Sequence, residues 1–530
     1  MNNKKLQIGL PFLMAVVLTA GMWLGFKLKG DVGNGNNMTF LRNTKRSTLQ
    51  EIMDLVKSKY VDNIPDSIND FVIQDMLAHL DPHSVYIPAK DLMEVNEDLQ
   101  GNFEGIGVEF QIFNDTVNVL NVLADGPSYK AGVQVGDKII TVNDTSKIAG
   151  IKIKPDEIRN LLRGPRSSKV SITVLRGTEI KKIDIERGTI PLPSVDVAYM
   201  LTPQTGFIRI NKFSETTYEE FMQNLEKLQK EGMKSLVLDL RGNGGGILQE
   251  AADIADEFLN DQKMIVYTEG THVPRMEYKC KRDGLFESGK LAVLVDETSA
   301  SASEILSGAL QDWDRGTIIG RRTFGKGLVQ QQFMLTNGSA LRLTIARYYT
   351  PLGRNIQKPY NKGKDAYEDE LIERFHNGEV VMGDTSKPSG KAYKTPAGRL
   401  VYGGGGITPD VFVPFDTTTQ PKEITKMYMK GTLNKFVYNY YIQNKSYLQS
   451  FKSPVDFAKG FTAGEKEWQQ LESAAQKDSI DLATVPTAAK TDMLKRLQAL
   501  IARQIWRTEG FFEVNNITDP MISKALEAVK

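Results

Sequence analysis

The sequence predicts an α/β protein with a mainly parallel sheet, a β-rich insert ahead of that core, and helical regions at both ends. Three observations predict it. Between residues 205 and 316, apolar runs of strand length alternate with amphipathic stretches of helix length, the pattern of strands joined by crossover helices. Between residues 101 and 187, short β-rich runs succeed one another at turns. Beyond residue 416, apolar side chains recur at helical spacing.

Taken in order, the chain opens with an uncharged run from Leu6 to Phe26, 21 residues long, preceded by Lys4 and Lys5 and carrying Trp23 near its far end. That length spans a bilayer as a helix. No clear small-residue cleavage site follows, so an uncleaved anchor is expected, with a cleaved signal peptide as the alternative. The rest of the chain is then extracytoplasmic, on the periplasmic side of an inner membrane. A Gly/Asn-rich linker closes this first region, residues 1–37. Residues 38–100 read as helical, with Leu49, Ile52, Met53 and Leu55 on one side of a helix. "LDPHSVYIP" then reads as a helix end and a turn. His79 and His83 flank Pro82 there, which argues against a helical metal site. The β-rich insert occupies residues 101–190 and the α/β core residues 191–415. In the last region, 416–530, Leu494, Leu497, Ile501 and Ile505 line one helix face. Helices in that position suit pairing subunits into a homo-oligomer, covering a site or binding a partner, and the sequence does not choose among these.

Composition excludes several function classes. Sixty-six basic and 65 acidic residues leave a net charge of +1, so no nucleic-acid partner is expected. One cysteine, Cys280, rules out a disulfide framework and a cysteine-based zinc site within the chain.

Three stretches could carry chemistry. "GRRTFGKGLVQ" (Gly320–Gln330) has the spacing of a phosphate-binding loop, but Gly327 stands where a hydroxyl is needed. Two β-rich runs joined by Asn337-Gly338 come after it, not the helix whose N-terminus would hold a phosphate. Lys326 is then either a turn lysine or a base. "ETSASASEIL" places Ser299, Ser301 and Ser303 at a strand-to-helix turn. Ser301-x-x-Glu304 is a capping box, and a serine at such a turn is also where hydrolases expose a nucleophile. "DLRGNGGGIL" puts Gly244, Gly245 and Gly246 between a buried strand and a helix. Such a loop can aim N–H groups at a developing oxyanion. With few histidines, a serine would need another base. A lysine can serve if burial or positive potential brings it below its ordinary value of about 10.4.

The chain resembles the carboxyl-terminal processing peptidases, or tail-specific proteases. The resemblance rests on "LDPHSVYI", "GNFEGIGVEF", "GPSYKAGVQVGDKIITVN", "LVLDLRGNGGG", "TSASASEILSGALQD", "GRRTFGKGLVQ", "LRLTIARYYTPLGRNIQ" and "GGGGITPDV", in the family's order over residues 45–415. It implies a crotonase/Clp-like ββα core and makes residues 101–190 a PDZ domain. It also implies a Ser/Lys dyad: Ser301 as nucleophile, Lys326 as general base 25 residues later, and Gln330 supporting the amine. Gly246 and Ala302 would supply the oxyanion N–H groups. Gly105, Ile106, Gly107 and Val108 would form the loop that binds a peptide's C-terminal carboxylate. Arg163 would couple that docking to the active site. No metal or cofactor is implied, and the partners are protein or peptide substrates held by their C-termini. One departure stands out: the family's usual D-L-R-x-N-P-G-G has a proline where this chain has Gly244. The rival expectation is an extracytoplasmic PDZ-bearing scaffold or holdase whose dyad is resting or inactive.

Overall fold

The structure is a computed structural model that describes residues 47–65, 67–383 and 390–530. The apolar run at residues 6–26 lies outside the described residues. Among the described residues, no helix is long and apolar enough to cross a membrane.

The chain divides into two units, residues 1–69 and 70–530. In the first, the helix Thr48–Lys59 is capped by Ser47, whose hydroxyl accepts the Gln50 N–H at 3.3 Å, and none of its residues is buried.

In the second unit the core is a six-stranded sheet. Its order is Val195–Thr202, Thr205–Ile210, Ser235–Asp239, Lys290–Val295, Thr317–Gly320 and Val411–Phe412. The first pair is antiparallel and the rest are parallel. The three central parallel strands are near-continuous apolar runs because both faces of the sheet are covered. On one face, the helices Thr217–Lys230, Leu248–Asp256 and Ala302–Asp312 bury Phe221, Leu225, Ile254 and Leu306. On the other, Val237, Leu294 and Ile319 meet Met521, Ile522 and Ala525 of the terminal helix Pro520–Ala528. A second, antiparallel sheet contains the hairpin Leu328–Met334 and Ala340–Tyr349. Val85–Ile87 and Met264–Glu269 pair with the long strand of that hairpin.

The β-rich insert is entered and left through a two-stranded stem, in which Asn102–Gly105 pairs antiparallel with Gly188–Pro191. Beyond the stem, five strands run in the order Val108–Phe113, Thr116–Val122, Lys138–Val142, Lys169–Arg176 and Glu179–Glu186. The helices Pro127–Ala131 and Pro155–Leu162 pack on them over a separate core of Val117, Ile139, Ile158, Ile172 and neighbours. Val108–Phe113 is an edge strand.

The C-terminal region forms a helical body with its own core, including Phe436, Leu471, Leu497 and Ile501, with Leu494 and Ile505 packed against it. Its long helix Thr487–Asn515 is broken at Trp506 and Arg507, and Arg507 has φ +58°. The break redirects the chain from the helical body towards the core sheet.

Candidate active site

Three loops meet at the carboxyl ends of the parallel strands. The glycine loop follows Ser235–Asp239, the serine turn follows Lys290–Val295 and the lysine loop follows Thr317–Gly320. Residues from all three line one cleft of about 440 Å³, among them Gly246, Ser301, Ile305, Lys326, Gln330 and Arg342. Leu99, at the end of the helix Ala89–Gln100, reaches the same cleft.

The serine turn is strained where it matters. Ser301 precedes the helix Ala302–Asp312 with φ +55° and ψ −114°, a left-handed conformation that costs a non-glycine residue roughly 1–3 kcal/mol. The three serines divide their work. Ser299 Oγ donates to the Leu240 carbonyl at 2.8 Å and Ser303 Oγ to the Asn243 carbonyl at 2.9 Å, so both tie the turn to the glycine loop. Ser301 is the one of the three that lines the cleft.

Glu304 fastens the serine turn to the lysine loop. Its carboxylate is fully buried and accepts four hydrogen bonds. These come from the Ser301 N–H at 2.9 Å, the Thr323 hydroxyl at 2.5 Å, the Gly325 N–H at 2.7 Å and the Lys326 N–H at 2.9 Å. Burial pushes its carboxyl up to about 7, against the pull of those donors. The back-bond to Ser301 is the capping half of S-x-x-E; the other three bonds are to a loop more than fifteen residues away.

The glycine loop is held at fixed distance from Ser301. Asn243 Oδ1 accepts the Gly245 N–H at 2.9 Å, and the Asn243 carbonyl accepts the Ala300 N–H at 3.0 Å. At Gly245, with φ +99°, a Cβ would lie 2.7 Å from both the Ala300 carbonyl oxygen and Ser301 Cβ. Gly244 is different: a Cβ there meets nothing within 4 Å, so the lack of a side chain at this position relieves no clash. The N–H groups of Gly246 and Ala302 have no acceptor among the described residues, whereas the Ser301 N–H is taken by Glu304.

Lys326 is partly buried beside the cleft. Burial lowers its pKa below the ordinary lysine value, and the Arg342 charge lowers it further, while Glu304 and Asp81 pull the other way. Its Nζ donates to Gln330 Oε1 at 3.1 Å. The Gln330 amide in turn donates to the His83 carbonyl, which fixes which end of the amide faces the lysine. His83 itself, in the turn closed by Asp81, has its Nε2 2.8 Å from the Tyr367 hydroxyl. Burial, then the Lys326 charge, brings its pKa down to about 4, so it is neutral near pH 7. No hydrogen bond joins Ser301 to Lys326 among the described residues. The lysine loop is braced from behind by the buried Arg374, which donates to the Arg322, Thr323 and Phe324 carbonyls.

At the insert, Gly105, Ile106, Gly107 and Val108 border a groove of about 500 Å³ between the edge strand Val108–Phe113 and the helix Pro155–Leu162. Ser128 and Leu123 N–H groups occupy the Ile106 and Gly107 carbonyls. The Ile106 and Gly107 N–H groups have no acceptor among the described residues. Arg163 sits in this groove, over the Phe103 ring, and its Nη1 donates to Glu97 at 2.8 Å. Glu97 belongs to the helix that delivers Leu99 to the cleft lined by Ser301 and Lys326, so Arg163 bridges the two places.

Comparison with known proteins fits this geometry. Residues 204–363 match Peptidase family S41, residues 119–176 match the PDZ domain, and residues 424–507 match a family of unknown function (DUF8443). A carboxy-terminal-processing protease of Bartonella bacilliformis is 34% identical over 341 residues, covering 63% of this chain and 78% of the relative. The chain belongs to peptidase family S41. A probable CtpA-like serine protease of Staphylococcus haemolyticus is 32% identical over 367 residues, covering 67% of this chain and 72% of the relative. Among solved structures, the photosystem II D1 C-terminal processing protease is 27% identical, with a TM-score of 0.35, over 69% of this chain and 86% of that one.

This S41 peptidase therefore pairs a peptidase core with a PDZ domain. Its cleft brings together Ser301, Lys326, Gln330 and Gly246, with Ala302 next to Ser301. Sequence reading missed Arg342, His83 and the bridging role of Glu304. A signal existed for Glu304, since the capping box named it, but its bonds to the lysine loop are tertiary. Arg342 lies in a β-hairpin with no local mark of its role.

Proposed function

We propose that the chain is a serine endopeptidase that recognises the C-terminal tails of protein substrates through its PDZ domain and cleaves them with a Ser301/Lys326 dyad. Ser301 Oγ attacks the scissile carbonyl, and Lys326 Nζ, in its neutral form, takes the hydroxyl proton and later delivers one to the leaving amine. Gly246 and Ala302 N–H groups hold the oxyanion. Gln330 orients the lysine amine. The scheme uses no metal or cofactor. The single observation that carries it is the division of the three serines: two hydroxyls are consumed by the turn, and Ser301 shares a cleft with a partly buried lysine of lowered pKa. His83 feels the Lys326 charge, and its ring is engaged with Tyr367.

In the same reading, Gly105, Ile106, Gly107 and Val108 take the terminal carboxylate, and Arg163 transmits docking through Glu97 to the cleft. Residues 6–26 anchor the enzyme, with the catalytic body on the periplasmic side of the inner membrane.

The test is cleavage of a loosely folded protein with an apolar C-terminal tail by the full chain, Ser301→Ala and Lys326→Ala. Each variant should lose at least about 10³-fold in kcat/KM, as removal of a nucleophile or its base does. Retained cleavage by either variant refutes the dyad. A second reading has one observation in its favour: Lys326 Nζ is hydrogen-bonded to Gln330 and not to Ser301. A PDZ-bearing scaffold or holdase with a resting dyad would bind the tail and leave it uncut.

A further inference from the structure

The C-terminal helical body is docked on the PDZ domain. Lys435 Nζ donates to Asn114 Oδ1 at 2.9 Å, the Tyr438 and Phe113 rings lie 5.5 Å apart, and Val135 packs against the helical core. Arg507, at the break in the long helix, donates to the Val122 carbonyl. One turn before that break the same helix delivers Arg503 into the PDZ groove, whose lining is otherwise drawn from the insert and its stem.

Charge in the groove is lopsided. Arg159, Arg163 and Arg503 line it, against one carboxylate, Glu109. Two of the arginines are already engaged: Arg159 by Asp156, and Arg163 by Glu97 at 2.8 Å. Arg503 is not. It is half-exposed, its nearest carboxylate oxygen is on Glu109 at 3.9 Å, and it makes no hydrogen bond among the described residues. Glu109 is meanwhile held by the Asn121 amide at 3.1 Å.

Strand geometry fixes which part of a bound peptide meets Arg503. Val108, Phe110 and Ile112 pack on the PDZ core, so Glu109 and Gln111 face the other way. A peptide added along this open edge also alternates. With its last side chain in the apolar pocket beside Ile106 and Leu162, its penultimate side chain lies on the face of Glu109, where Arg503 stands.

We infer that Arg503 makes the C-terminal helical body part of the substrate-recognition groove, and that it selects protein tails with an acidic penultimate residue. This rests on the tail-recognition reading above. A guanidinium whose donors make no hydrogen bond can take a carboxylate through two N–H groups, and an exposed pair of this kind is worth roughly a two- to fivefold change in affinity.

The experiment uses the full chain carrying Ser301→Ala, so that bound peptide survives. Fluorescent decapeptides ending Ala-Asp-Ala, Ala-Asn-Ala and Ala-Lys-Ala are titrated by polarisation, each also with an amidated C-terminus. The Asp peptide should bind roughly two- to fivefold tighter than the Asn peptide, and the Lys peptide weaker than both. The difference should shrink as salt rises. Added Arg503→Ala should erase the preference, and Arg503→Glu should reverse it in favour of the Lys peptide, a gain that misfolding cannot imitate. Equal binding of Asp and Asn peptides, or an Asp preference that survives Arg503→Glu, overturns the inference while leaving tail recognition intact. Amidated peptides that bind as well as free ones overturn tail recognition by the terminal carboxylate, and the Arg503 preference is then read separately. Absence of binding by every peptide overturns both.

Discussion

At the residue scale, the proposed dyad asks a lysine to act as a base near neutral pH. Two physical causes act on Lys326: burial, which disfavours its charged form, and the positive charge of Arg342 in the same cleft. The proposed mechanism needs the neutral amine, so kcat/KM should rise with pH through the lysine's lowered pKa and then level off. Arg342→Gln removes one of the two depressing influences, so the pKa moves back up and the rising limb of the pH profile moves to higher pH. At pH 7 the variant should be slower, and at high pH it should approach the parent. A uniform loss at every pH, with the limb unmoved, would mean that Arg342 acts by holding Gln332, to which it donates at 3.2 Å, and not by its charge. Glu304 works in the opposite sense on the amine, yet its bonds to the Gly325 and Lys326 N–H groups fix the backbone that carries the amine.

At the scale of elements, the site is a junction of loops, and the glycine loop tolerates no side chain where it faces the serine turn. Gly245→Ala adds a Cβ 2.7 Å from Ser301 Cβ at φ +99°, so both space and backbone conformation oppose it. The variant should lose well over tenfold in kcat/KM, whereas Gly244→Ala, whose Cβ meets nothing within 4 Å, should stay within about twofold of the parent. Comparing the two in one cleavage assay separates loop geometry from loop flexibility. If both fall equally, the close approach seen at Gly245 is not what limits the loop.

At the scale of the whole molecule, the end of the chain completes the core. The helix Pro520–Ala528 covers the second face of the main sheet, and Asp519, which caps it, pairs with Arg241 at 2.7 Å. Arg241 also flanks the buried Asp239; burial opposes that carboxylate's charge, but Arg241 and Arg209 hold it ionised, with its pKa below the ordinary value. Ile522 is almost fully buried there. Ile522→Ala should cost about 2–4 kcal/mol in urea unfolding, more than expected for a peripheral C-terminal tail. A change below about 0.5 kcal/mol would show that the terminal helix is not part of the cooperative unit.

Local chemistry made much of this protein legible in one dimension. The strand-helix alternation of the core appeared as period and length. The insert appeared as short β runs, and the serine, lysine and glycine loops as motifs, because each depends on residues within about ten positions. Even the failure of the phosphate-loop reading was visible, in the hairpin just after Lys326. Three things were not. The antiparallel strand Val195–Thr202 gave no separate signal ahead of the core. The bridge from Glu304 to the lysine loop joins residues that share no local period. The return of residues 487–528, first to the PDZ groove and then to the core sheet, turns on a single break at Trp506 and Arg507. Sequence determined the chemistry each loop could perform, because residue type and backbone freedom are local properties. Tertiary structure alone decided which loops meet, which of three serines is left facing the cleft, and what surrounds the lysine, because burial and charge proximity exist only once distant segments pack together.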